Sequence, residues 1–177
     1  MAKIVDLQSY RSQQLNDRAF GPWRKRFNEF CDEKSKLADL SDKTILYLAQ
    51  PGDASTLGYY ELIMGVLDLG MAAGFYALDK SDQLKVVEIH LFLADQTRFE
   101  LMYRLAWITN FFCQNDTILG LIRNIDKLKL QSRDTPPELA PSHAGYSDFK
   151  ELTTRDKESF VRRLLPDAID SFRRIID

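Results

Sequence analysis

Between Thr56 and Cys113 the chain carries an apolar block whose large residues recur at helical spacing, and that block leaves few folds open. Leu62, Ile63, Met64, Val66 and Leu67, followed by Leu91, Phe92, Leu93, Leu105, Trp107 and Phe111, all demand burial. No stretch shows the sustained alternation of a half-buried strand. A chain of 177 residues can bury about 70% of its unfolded surface, so a core of this kind needs neither disulfide nor metal to hold it. The reading is an all-α, single-domain helical bundle over residues 1–177. It has about six or seven helices around a central antiparallel hairpin at about 56–78 and 82–112. The hairpin follows from the short link Asp79-Lys80-Ser81-Asp82, with Ser81 as the expected cap, because a link this short makes its flanking helices antiparallel neighbours.

Gly58, Gly65, Gly70, Ala73 and Gly74 fall inside the first hairpin helix. Each glycine costs up to ~1 kcal/mol of helix propensity, so a compensating close approach of another backbone is expected. A break near Gly70 is the alternative.

Outside the hairpin, residues 1–20 are polar, helical from about Val5, and expected to form an N-terminal arm that stops at Gly21-Pro22 and could dock on a neighbour. A helix from Pro22 to Ala38 shows an apolar face of Trp23, Phe27, Phe30 and Leu37. Ser41 is expected to cap a short helix to Ala49. Asn115 or Asp116 should start a helix striped by Ile118, Leu121, Ile122, Ile125 and Leu128. Residues 131–146, with Pro136, Pro137 and Pro141, read as a surface loop. A helix near Asp148 precedes a Thr154-capped helix that Pro166 should kink or split.

The function classes narrow by exclusion. Net charge is -2 with scattered basic residues, which argues against nucleic acid as a partner. Leu62–Leu78 falls short of the ~20 apolar residues of a membrane span, and Asp68 near its centre would cost ~2.5–3.5 kcal/mol. No signal-peptide pattern opens the chain, so a cytoplasmic protein without a membrane partner is expected. Cys31 and Cys113 show no metal or disulfide spacing and should be buried thiols. Glu88 and His90 are two apart and face different ways on a helix, so no metal and no other cofactor is expected. Gly-rich phosphate loops are absent, and Ser142-His143 beside prolines suits an exposed turn better than a nucleophile and base.

Folding the hairpin at residue 80 sets Asp68 opposite His90–Leu93 and Glu61 opposite Asp95–Glu100. The candidate polar cluster or ligand pocket is therefore Glu61, Asp68, His90, Asp95, Arg98, Glu100 and Arg104. Charges inside an apolar bundle must be partnered. The plain reading is an ion-pair network through Asp95–Arg98 and Glu100–Arg104. The sharper one is a pocket in which Arg98 or Arg104 holds an anionic group and His90 titrates. Tyr59, Tyr60, Phe92, Phe99, Tyr103, Trp107 and Phe111 are the candidate apolar lining or interface.

An apolar inventory larger than one chain can cover predicts a homodimer. The leading functional expectation is a non-catalytic interaction or regulatory protein, with a protein partner, and not an enzyme. The alternative is a small-molecule-binding bundle, a sensor or carrier of an apolar or anionic ligand.

Overall fold

The computed structural model describes residues 6–177. The tip of the expected arm and the expected helix start at Val5 lie outside the described residues. Helix α1 (Leu7–Leu15) opens on Asp6, whose carboxylate accepts from the Gln8 N–H. It runs through a widened π-type turn at Asn16–Phe20 into α2 (Gly21–Phe27). The expected stop at Gly21-Pro22 is therefore not made. Pro22 has no N–H for the Arg18 carbonyl, and it follows directly on a turn where the helical ladder is already irregular. Leu15, Ala19, Phe20 and Trp23 are buried, so the end of the expected arm is part of the core.

Helix α2 ends at Phe27, with Asn28 in the left-handed region at φ 51°, rather than running on to Ala38. Phe30, expected on the buried face, is consequently 75% exposed under the guanidinium of Arg24 at 5.3 Å. After a short 3₁₀ turn at Leu37–Asp39, the Ser41 hydroxyl accepts from the Thr44 N–H to start α3 (Asp42–Ala49), as the sequence suggested.

The expected helix over 56–78 is α4 (Asp53–Leu67) followed by a 3₁₀ turn at Ala72–Ala77. Asp68 takes φ 56° and Gly70 φ 90°. The Leu69 N–H donates back to the Met64 carbonyl at 2.9 Å, which closes the helix in the manner of a left-handed C-cap. The break near Gly70 is thus the arrangement adopted.

Gly65 meets the expectation of close packing. A Cβ there would stand 2.7 Å from Ala19 Cα and 2.8 Å from the Arg18 carbonyl oxygen, whereas Gly74 faces open space.

Helix α5 (Lys80–Arg104) is capped by Asp79, which accepts from the Asp82 N–H, not by Ser81. It stops eight residues before the expected 112 because Ala106 turns left-handed at φ 59° and the Trp107 N–H returns to the Met102 carbonyl. Ile108–Asn110 then forms β1, antiparallel to β2 (Glu138–Leu139). This small sheet was not anticipated, because strands of three and two residues carry no readable alternation. Leu139 is buried within the proline-containing stretch.

Thr117 caps α6 (Ile118–Arg123), and α7 (Ile125–Ser132) follows. The whole expected stripe from Ile118 to Leu128 is buried. Then come α8 (Tyr146–Lys150), α9 (Thr154–Arg163), capped by Thr153 instead of Thr154, and α10 (Leu165–Ile176). The split before Pro166 is the one expected. The molecule is predominantly helical, with ten α-helices among the described residues instead of six or seven.

Helix α5 is the axis about which the site is organised. Arg104 near its C-terminus reaches Asp42 at the start of α3, and Arg98 reaches the Ala49 carbonyl at the end of α3, so these two helices lie antiparallel. On another side Tyr59 of α4 places its hydroxyl between the Leu48 carbonyl and Thr97 Oγ1. The Trp23 indole N–H donates to the Gly58 carbonyl at 2.7 Å, which satisfies the polar end of a buried aromatic.

Candidate functional site

The seven polar residues expected to meet in one cluster are dispersed over several places. Glu61 pairs with Arg26 of α2, and Asp68 is a surface residue 3.6 Å from Arg18. Glu61 lies on the face of α4 turned to α2, and Asp68 follows the end of α4 at Leu67, beside the π-type turn. The Arg18 Nε also donates to the Gly65 carbonyl, a cation at a helix C-terminus where the dipole favours it.

His90 is half-buried between the rings of Tyr59 at 5.0 Å and Tyr60 at 5.6 Å. Burial, and then the charge of Arg98, hold its pKa below the ordinary imidazole value.

Glu100 and Arg104 form a sealed junction. Arg104 Nε donates to Glu100 at 2.9 Å and a terminal nitrogen to Asp42 at 2.8 Å. Its other terminal nitrogen donates to the carbonyls of Leu37, Ala38 and Leu40. Glu100 is 2% exposed, and one of its oxygens, Oε2, has no hydrogen-bond partner among the described residues. Every Arg104 nitrogen is engaged, so this pair serves architecture, as the expected Glu100–Arg104 ion pair implied.

The expected Asp95–Arg98 pair is replaced. Asp95 instead binds Arg162 of α9 at 2.9 Å, and Glu158 binds the same guanidinium at 2.9 Å. Burial opposes the charge of Arg162, but the two carboxylates outweigh it and raise its pKa. The sequence contained no signal for this partner, since Arg162 is 67 positions downstream of Asp95 on another helix.

The side of α5 that carries Asp95 opens into a groove of about 610 Å³ between α5, α7, α9 and the proline-containing stretch. Leu84, Val87, Glu88, Leu91, Phe92, Asp95, Gln96 and Phe99 line it from α5, with Phe111 and Phe112 at one end and Lys129, Arg133, Glu158 and Arg162 on the rim. The spacing of the α5 residues is that of one helix face. They run along about 22 Å at ~1.5 Å per residue. Leu84 and Leu91 are 65% and 59% exposed. Gln96, 5% exposed, is among the residues that α5 contributes to this lining.

Of the expected apolar lining, Phe92, Phe99 and Phe111 are in the groove, with Phe99 and Phe111 packed at 6.1 Å. Tyr59 is core. Tyr60 stacks on Phe75. Trp107 packs edge-on to His143, and Tyr103 is exposed beside the Arg104 end of α5.

A second, smaller cavity of about 420 Å³ adjoins the groove across Arg162, between α5 and α10. Arg98, Arg162 and Arg173 line it with Asp170, against Pro51, Leu165, Pro166 and Ile169. Sequence reasoning singled out Arg98 but missed Arg162 and Arg173, whose neighbouring acids made them look like solvated helix faces.

Among the described residues, no group of three His, Cys, Asp or Glu side chains could hold a metal. No helix is long and apolar enough to cross a membrane. Cys31 and Cys113 are free and buried, and burial pushes their thiols up to about 11 and about 12, so neither is an activated nucleophile. His143 accepts the Gly145 N–H at Nδ1 and is held in a turn. Set against protein-family models, curated proteins and solved structures, the chain matches none of them.

Proposed function

We propose that this protein is a non-catalytic carrier or sensor that holds a small, largely apolar molecule in the α5 groove. The observation that carries this reading is the groove itself, whose volume of about 610 Å³ falls within the 300–1,000 Å³ range typical of small-molecule sites. Its aromatic floor supplies apolar contact, and Gln96 adds a polar side chain to the lining. In this reading α4 and α5 form the antiparallel hairpin of a bundle. The hairpin fixes one side of α5 by Tyr59 and Thr97 and leaves the opposite side for the ligand.

The test is titration with N-phenyl-1-naphthylamine, a neutral probe that fluoresces in apolar sites, alongside native mass spectrometry of protein purified without denaturation. Saturable binding that Leu91→Glu abolishes without shifting the melting temperature is the expected outcome. Absence of saturable binding in the unsubstituted protein would overturn the reading.

A second reading rests on a different place. Leu69–Leu78 contains no charged residue, and within it Met71 and Tyr76 are 82% and 89% exposed. Exposed apolar side chains gathered on an uncharged turn suit a protein contact, and in this reading a second copy covers them in a homodimer. Sedimentation of a Met71→Ser, Tyr76→Ser variant tests it: the unsubstituted chain should sediment as a dimer and the variant as a monomer.

A further inference from the structure

We infer that the cavity between α5 and α10 is an anion subsite, and that the molecule held by this protein is an amphiphile whose carboxylate or phosphate head is bound by Arg98 with Arg162 and Arg173. This inference rests on the proposed small-molecule reading and names the ligand class.

Three cations and one carboxylate line the cavity, and that carboxylate, Asp170, lies 3.0 Å from Arg173 on the same helix. Arg162 is shared by Asp95 and Glu158 from the groove side. Arg98 is different. It is half-buried, its Nε donates to the Ala49 carbonyl at 3.0 Å, and among the described residues it has no carboxylate partner. That bond engages Nε and leaves both terminal nitrogens for an acceptor. A planar fork of this kind suits the paired oxygens of a carboxylate or phosphate. A half-buried cation without a counter-charge is costly to keep, and an anion entering the cavity would relieve that cost.

The apolar part of the ligand is assigned by adjacency. Arg162 lines both cavities, and its guanidinium lies over the Phe99 ring at 5.8 Å. Arg98 and Phe99 are consecutive on α5. In this proposal the hydrocarbon chain of a head held at Arg98 passes Arg162, which borders both cavities, to reach Phe99, from which Phe92 and Leu91 continue the apolar floor. Pro51 and Ile169 close the other side of the head cavity.

The experiment is displacement of N-phenyl-1-naphthylamine by dodecanoate, dodecyl phosphate and dodecanol, which share a chain and differ in the head. Both anionic amphiphiles should compete at concentrations ~10-fold or more below dodecanol, in line with charge-assisted hydrogen bonds. Arg98→Met should bring them to the dodecanol level while leaving dodecanol itself unchanged. Should Arg98→Met fail to fold, Arg173→Gln on the surface of α10 should produce a smaller loss, about 3-fold, again confined to the anionic competitors.

Equal competition by all three in the unsubstituted protein would overturn the anion subsite while leaving the groove reading intact. Failure of the neutral probe to bind would overturn both. Inorganic phosphate alone raising the melting temperature as far as dodecyl phosphate does would overturn the amphiphile and leave a free-anion site.

Discussion

Arg98 and Arg104 stand on the same helix, and both donate to main-chain carbonyls, Arg98 at the end of α3 and Arg104 in the turn before its start, yet they are treated oppositely. Arg104 is saturated by Glu100, Asp42 and three carbonyls around the 3₁₀ turn. Among the described residues Arg98 has one carbonyl and no acid. The first region is closed, with its charges consumed in holding α3 and α5 together. The second opens onto the cavity between α5 and α10, across Arg162 from the groove. A charged residue in a helical core is therefore not by itself a sign of function; what distinguishes the two arginines is whether donors remain after the fold has been satisfied.

The strongest way to break this contrast is to remove the closed region's cation. Arg104→Ala leaves the buried Glu100 carboxylate uncompensated and should cost about 3–5 kcal/mol in urea denaturation. Adding Glu100→Gln should recover a large part of the loss, because the variant then buries a neutral amide. Equal stability of the single and double variants would show that Arg104 acts only through the carbonyls.

A backbone test of the same closed side is next in size. Gly65→Ala drives a methyl into Ala19 Cα and the Arg18 carbonyl, both main-chain atoms that cannot rotate away, and should cost about 1–3 kcal/mol. Gly74→Ala, in open space, should stay within about 0.5 kcal/mol. Matching losses at both positions would deny that close approach is what Gly65 provides.

On the open side the expected separation is between stability and binding. Leu91→Ser, at a site 59% exposed, should change unfolding by no more than about 0.5 kcal/mol and still weaken probe binding severalfold. A variant that melts early would place Leu91 in the core.

The smallest expected effect is a pH dependence. His90 has a folded pKa below its ordinary value of 6.5, so below that pH the unfolded chain binds the proton more readily than the folded one. Stability should therefore be untouched by His90 above about 6.5, decline as pH falls below it, and level off beneath the folded pKa. His90→Gln should remove that component of the slope in urea midpoints measured from neutral to mildly acidic pH. Identical slopes would show that Tyr59, Tyr60 and Arg98 do not perturb the imidazole.

Much of the helical pattern was legible. Ser41 as a cap, the Ile118–Leu128 stripe, the split at Pro166 and the need for close approach at a glycine of α4 all follow from local chemistry, and each is present. The errors cluster where the chain turns left-handed without a strong punctuating residue. Asn28, Asp68 and Ala106 each end a helix that periodicity alone would extend, because apolar residues on both sides keep the pattern running. The site was legible only in part. Asp95, Phe92, Phe99 and Phe111 were named and do line the groove, and Arg98 lines the neighbouring cavity. Arg162 and Gln96 gave no signal, since an arginine four residues after a glutamate looks like a solvated pair and a lone glutamine on an apolar helix looks like a surface position.

The sequence by itself determined that the chain is helical, which faces of its helices are apolar, and that charges such as Glu100 must find partners, because propensity, periodicity and desolvation act over a few residues. Which partner each charge takes is set by how the helices pack. That choice depends on helix ends and crossing geometry between residues far apart in the chain: it gave Arg104 to Glu100 and Asp42, gave Asp95 to Arg162, and left Arg98 with donors to spare.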